Sequence, residues 1–274
     1  MTLFTKKVNK MTDIKISQDR TCLKIELDRP DQGNRLTYEM MLSIRDAARH
    51  ANTNDDIRVV VISSSSNGFC AGEDRNDLGD WPNEFFGRGP LGSHGLPPLP
   101  QQEMISALRS CQKPTVTLLT GNVTGLGLDI AAACDHRIAT ETTIVSDGRV
   151  QNAEHVATGI THILPRLIGL SQATRILLLG DELTATEARR IGLIHEVYPD
   201  NDFTVEADRF VDKISALATR SYSIIKEQTI EQLDMPYEWA LKHSLAIRQT
   251  NVIEDRSEAA AAFKEKREPK FSGR

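Results

Sequence analysis

The sequence predicts an α/β fold with a helical C-terminal region, and three observations carry that prediction. Short β-branched or apolar runs alternate with amphipathic helical patterns through the first two thirds of the 274 residues. Two glycine-rich turns directly follow two of those runs. From Ser171 onward the periodicity is helical.

In chain order, residues 23–27 read as a strand and residues 37–51 as a helix with Met40, Met41, Ile44 and Ala48 on one face. Val59, Val60, Val61 and Ile62 form the next strand, and Thr115 to Leu119 another; each runs into one of the glycine turns. Between them, residues 79–100 are rich in glycine and proline, a length that inside a compact domain marks a functional loop or a linker. Its aromatic and apolar members are Trp81, Phe85, Phe86 and Leu91. Further on, Ser171 is expected to cap an apolar helix ending at Leu179 and Gly180, and residues 184–190 form a short helix closed by Gly192. Residues 202–218, 221–233, 237–249 and 255–267 complete the helical region. The expected division is a flexible extension over 1–12, a core over 13–200 and a helical region over 201–274.

Composition excludes several classes. A formal charge of −5 is the wrong sign for a general nucleic-acid binder. The local basic group Lys264, Lys266, Arg267 and Lys270 is interleaved with Glu265 and Glu268, as on a solvated helix face. Cys22, Cys70, Cys111 and Cys134 have no metal-ligand spacing and read as reduced core thiols. No signal-peptide core and no apolar run of membrane-spanning length is present, so the expectation is a cytoplasmic protein without a membrane partner. His155 and His162, seven apart, would share a helix face but lack a third ligand, so no metal is expected.

The most informative segments are Phe69-Cys70-Ala71-Gly72-Glu73-Asp74 and Gly121-Asn122-Val123-Thr124-Gly125-Leu126-Gly127-Leu128-Asp129. Glycines at sharp turns after strands leave backbone N–H groups exposed, and two such turns can converge on one oxygen. A dinucleotide fingerprint is not met, since Gly125 and Gly127 lack the third glycine and a following acidic ribose ligand.

With Leu27-Asp28-Arg29-Pro30, Asn34, Leu36, Ala131 to Asp135, Pro165 to Gly169, Leu179-Gly180-Asp181, Ala188 to Ile194 and Ala262 to Arg267, these segments make an ordered set. On it the chain resembles the enoyl-CoA hydratase/isomerase superfamily, the crotonases, nearly end to end. The resemblance implies a spiral core of β-β-α units, a C-terminal region used for assembly as a homotrimer or dimer of trimers, and an acyl-CoA substrate. Coenzyme A enters as part of that substrate, with no further cofactor. It places the oxyanion donors on the amides of Glu73 and Leu126 and the first hydratase acid on Asp129. The second hydratase glutamate falls on Arg149.

Hydration requires a base for water and an acid for carbon, so the replaced acid bears on the reaction. Asp147, Glu154 and His155 are the neighbouring substitutes. Arg149 itself either turns inward, to hold Asp129 ionised or to meet a substrate carboxylate, or points outward to a surface acid. By resemblance, CoA and acyl contacts fall on Gln32, Gly33, Ala71, Gly72, Asp74, Gly125, Trp81, Phe263 and Lys266. Asp31 stands where relatives commonly carry a base, with Arg29, Arg75, Lys264 or Lys266 as compensating cations. Hydration of a 2-enoyl-CoA is the default reaction. Isomerisation, decarboxylation, thioester hydrolysis and CoA-independent diketone cleavage are its alternatives, and a silent CoA-ester-binding subunit is the alternative of another class.

Overall fold

The structure, a computed structural model, describes residues 13–76 and 99–274. The expected extension over 1–12 and the loop residues Trp81, Phe85, Phe86 and Leu91 lie outside the described residues.

The chain opens with a hairpin of β1 (Ile14–Asp19) and β2 (Cys22–Leu27), turned at Arg20 in the left-handed region. β1 was not expected, because all but its first residue are exposed and its sequence carries little apolar alternation. From β2 the strands run parallel: β3 (Val59–Ser64), β4 (Thr115–Leu119), β6 (His136–Thr140) and β9 (Glu196–Tyr198) follow in register to complete the main sheet. A second sheet stands beside it, with β7 (Ile144–Ser146) between β5 (Asn122–Thr124) and β8 (Leu183–Thr184).

The two-residue period of β3 divides the core. Val60 and Ile62 point to the large cluster under α1 (Tyr38–Thr53), α2 (Pro100–Arg109) and α3 (Leu126–Ala133), whereas Val59 and Val61 meet Phe203 and Ile214 of α7 (Phe203–Ser215) on the other face. A helix covering each face is what a parallel sheet requires. α1 is capped by Thr37, whose hydroxyl accepts from the Met40 amide at 3.2 Å.

Two local expectations are corrected. Ser171 is not a cap: α5 (Leu170–Thr174) begins one residue earlier, on Gly169 at φ +79°, a conformation serine adopts poorly. His155 and His162 do not share a helix face, since His155 lies in the loop before α4 (Ile160–Ile168). The remaining helices fall close to expectation: α6 (Ala185–Arg190) with its Thr184 cap, α8 (Thr219–Glu231), α9 (Tyr237–Thr250) and α10 (Asp255–Glu265). All four cysteines are free and buried, as expected of core thiols. Among the described residues no helix is long and apolar enough to cross a membrane.

Candidate active site

Three chain segments are stitched together at one end of the sheets. Cys70 pairs with β5, its amide donating to Asn122 O at 3.2 Å and its carbonyl accepting from the Thr124 amide at 2.9 Å. On the other side Gly72 O accepts from the Leu36 amide at 2.9 Å, and Ala71 N donates to Gly33 O at 2.9 Å. The glycines allow this closeness. Gly72 sits at φ +104° and Gly125 at φ +57°, ψ −118°, and a Cβ on Gly125 would lie 3.5 Å from the Gly72 Cα.

The two turns therefore touch, and the residue after each glycine, Glu73 or Leu126, lines the same cavity of about 780 Å³. Among the described residues, neither of their amides donates to another protein group. Leu126 is also the first residue of α3, so the positive end of that helix faces the same place.

Below the turns is a buried charged cluster. Asp129, in the first turn of α3, is 1% exposed. Arg149 turns inward and donates through Nη1 to Asp129 Oδ2 at 2.9 Å and through Nη2 to Oδ1 at 2.7 Å. Its Nε and Nη2 also reach Asp147 Oδ1 and Oδ2 at 2.9 and 2.6 Å, and its own amide donates to Asp147 Oδ1 at 3.0 Å. The Thr158 hydroxyl completes the shell at 2.6 Å from Asp129 Oδ2. Burial holds the Asp129 carboxyl above the usual range, and the bonds from Arg149 and Thr158 offset this only in part. For Arg149, burial is outweighed by the bonds to the two aspartates, and its pKa rises. Arg149 lines the cavity and Asp129 lies one layer behind it.

The cavity wall carries more charge. Glu73 is half-buried, and its Oε1 accepts from Gln101 Nε2 at 3.3 Å. Burial first, then the charge of Glu154, pushes its carboxyl up, against Arg149 and Arg75. Glu154 is paired with Arg75, and the exposed His155 stands beside it. Asp74 is held by Arg29 Nη1 at 2.6 Å and the Asn76 amide at 3.0 Å, which depress its pKa.

The other expected contacts are not all brought together. Ala71 and Gly125 line the cavity; Gly33 backs the Ala71 turn; Gln32 and Asp31 are exposed beyond it. Phe263, 86% exposed on α10, and Lys266 just after it lie outside the cavity lining of this single chain. Trp81 is outside the described residues. Among those described, no group of histidines, cysteines and acids has metal-holding geometry. Sequence reasoning missed Gln101, Thr158 and the side chain of Glu73. The first two carry no motif, and for the third the resemblance points to its amide and to a CoA contact, not to a carboxyl with a chemical role.

The family model described as enoyl-CoA hydratase/isomerase matches residues 17–274. A relative from Thauera aromatica, (E)-benzylidenesuccinyl-CoA hydratase, is 32% identical over 254 residues, covering 91% of this chain and 94% of that protein. A crystal structure of enoyl-CoA hydratase from Bacillus anthracis superposes with TM-score 0.81 at 24% identity, over 96% of this chain and all of that one (100%). Human enoyl coenzyme A hydratase domain-containing protein 3 gives TM-score 0.80 at 23% identity, over 94% and 99% of the two chains. At these identities the solved structures speak for the fold.

Proposed function

Because the chain belongs to the enoyl-CoA hydratase/isomerase family, we propose that it binds an acyl-CoA thioester and adds water to a 2-enoyl-CoA through a thioester enolate. The observation that carries this reading is the pair of amides, Glu73 and Leu126, that have no partner among the described residues and sit on two touching glycine turns above one cavity. As water bonds to Cβ, charge moves to the thioester oxygen. Two fixed donors and a helix N-terminus stabilise it there, and loss of one such donor costs roughly a hundred- to a thousandfold in rate. The hydratase name of the Thauera relative supports hydration.

In this reading Asp129 acts through Arg149, keeping the guanidinium turned inward as the floor of the cavity. Coenzyme A runs past Ala71, Gly72 and Asp74 toward Gln32 and Gly33, with Phe263 and Lys266 offered to a neighbouring subunit. A cytoplasmic homotrimer, or a dimer of trimers, belongs to the same proposal. It is supported by exposed apolar side chains on α8 and α9, among them Ile225, Trp239 and Leu245.

Double-bond isomerisation is the second reading. It is favoured by the capture of both Asp129 and Asp147 by Arg149, since moving a proton between two carbons needs only one free acid/base. The test follows the absorbance of a short 2-enoyl-CoA beside the positional shift of a 3-enoyl-CoA. Loss of the conjugated absorbance with formation of the 3-hydroxy product supports hydration, and conversion of the 3-enoyl ester alone supports isomerisation. Tight binding with neither reaction would overturn both and leave a binding subunit.

A further inference from the structure

The carboxyl groups around the cavity are unequal. Asp147 is bound by Arg149, Glu154 by Arg75 and Asp74 by Arg29, and Asp129 is sealed beneath Arg149. Glu73 differs from all of them. Among the described residues no ion pair reaches its carboxyl, which takes one neutral bond, from Gln101. It is also tethered by two methylenes to the amide that faces the thioester oxygen in the reading above. A carboxyl so placed lines the cavity in which that thioester would sit.

We propose that the Glu73 carboxyl is the general base and acid of this site, moving the proton that the hydratase pair would otherwise move. The proposal rests on the acyl-CoA reading. The carboxylate takes a proton from a water whose oxygen bonds to Cβ. The electron pair of the Cα–Cβ double bond shifts toward the carbonyl, and charge rests on the oxygen held by the Glu73 and Leu126 amides. As that charge returns, the carboxylic acid delivers the same proton to Cα. Water has then been added across the double bond, Glu73 is again a carboxylate, and both new bonds lie on one face of the substrate.

The surroundings suit such a shuttle. Burial and the Glu154 charge raise the Glu73 carboxyl, Arg149 and Arg75 restrain it, and Asp129 adds a smaller push upward. A base lifted toward working pH moves protons better than one at its ordinary value. Asp74, next in the chain, cannot share the work while Arg29 holds it at 2.6 Å.

The experiment compares wild type with Glu73→Gln and Glu73→Asp, measuring turnover of a short 2-enoyl-CoA and binding of butyryl-CoA, which cannot be hydrated. The expected result is a kcat about a hundredfold or more lower in Glu73→Gln, matching the usual worth of general acid–base catalysis. Butyryl-CoA affinity should stay within about threefold, a change of under 1 kcal/mol. The acidic limb of the wild-type kcat/KM profile should vanish in Glu73→Gln and return, with part of the rate, in Glu73→Asp. Product formed in D2O should carry deuterium on Cα on the face of the new hydroxyl.

Wild-type turnover with an unimpaired Glu73→Gln would overturn the Glu73 assignment and leave the acyl-CoA reading standing. Wild type that neither binds butyryl-CoA nor converts an enoyl-CoA would overturn that reading and this proposal with it. Should Glu73→Gln lack a cooperative unfolding transition, Glu73→Asp and the deuterium stereochemistry decide. Full wild-type rate in Glu73→Asp with a wild-type acidic limb, or deuterium on the opposite face, overturns the assignment.

Discussion

Arg149 grips Asp129 with both terminal nitrogens, at 2.9 and 2.7 Å, and in the same geometry closes on Asp147 two residues before it. One cation thus serves two carboxylates that are 1% and 2% exposed. On the family resemblance, the position expected to carry a second acid carries the counter-charge of Asp129 instead. This relationship explains how Asp129 can be buried among Leu128, Ile130 and Ala131 without lining the cavity.

Arg149→Met should therefore be strongly destabilising, because it leaves two like charges buried against each other. Breaking a buried pair by removing one partner costs about 3–5 kcal/mol. Asp129→Asn in the same chain should recover part of that loss. Arg149→Lys should not restore wild-type stability, since an ammonium cannot hold two carboxylates through a planar fork. Urea unfolding at pH 7 measures all three; a loss under about 1 kcal/mol in Arg149→Met, the size of an exposed pair, would show that the cluster is wet.

Gly125→Ala should damage activity more than stability. At φ +57°, ψ −118° a Cβ is strained, at a cost of order 1–3 kcal/mol, although its 3.5 Å approach to the Gly72 Cα is ordinary contact. Relief by rotation of the turn takes the Leu126 amide away from its target, so kcat should fall about a hundredfold or more. Gly192→Ala, at φ +85° and away from the cavity, is the control that carries backbone strain alone and should keep its rate. Equal rates for the two variants would remove Leu126 from the oxyanion site.

Stability should fall on mild acidification through a second histidine-containing cluster. The His195 pKa is depressed to about 4 by burial, then by Arg137 and His136, while Nδ1 accepts from the Arg137 amide at 3.2 Å. His136, bonded to Tyr222 at 3.0 Å, is lowered in the same way. The unfolded chain takes up these protons near the ordinary histidine value of 6.5 and the folded chain only below it. The stabilisation is thus fully present above about pH 6.5 and is lost as pH falls toward 4. His195→Gln should flatten the pH 4 to 6.5 part of a stability profile; an unchanged slope there would remove His195 as its cause.

Much of this was legible because it is written in local chemistry. β3 and β4 are β-branched runs ending in glycine turns, and the helical patterns begin at Thr37 and Thr184, which the structure makes the hydroxyl caps of α1 and α6. What was not legible depends on partners distant in sequence. β1 is visible only through its pairing with β2, and Gly169 replaces Ser171 as a helix start through a backbone angle. The sequence puts Arg149 near Asp129 only by analogy; its inward turn is fixed by its bonds to Asp129 and Asp147, while Thr158 closes the shell around Asp129. Glu73 was singled out for its amide, whereas its distinction from the other acids of the cavity lies in the cations that pair with those acids and not with it.

The last few residues should prove to be docked by one carboxylate. Asp255, 4% exposed, accepts from the amides of Ser272 and Gly273 at 2.7 and 2.8 Å and from the Ser272 hydroxyl at 2.9 Å. Burial opposes ionisation there, but these bonds outweigh it and lower the pKa. From the other side Arg58 donates to Phe271 O at 2.8 Å and to Leu217 O at 2.5 Å. Asp255→Ala leaves the two amides without their acceptor, at about 1–3 kcal/mol for an unmet buried group. Trypsin should then cut after Lys270 faster than in wild type, while turnover stays the same, because neither Asp255 nor Arg58 lines the cavity. Unchanged trimming would mean that the remaining contacts, from Arg58 to Phe271 O, from the Asp255 amide to Arg274 O and from the Lys270 amide to Glu258, hold the tail without that carboxylate.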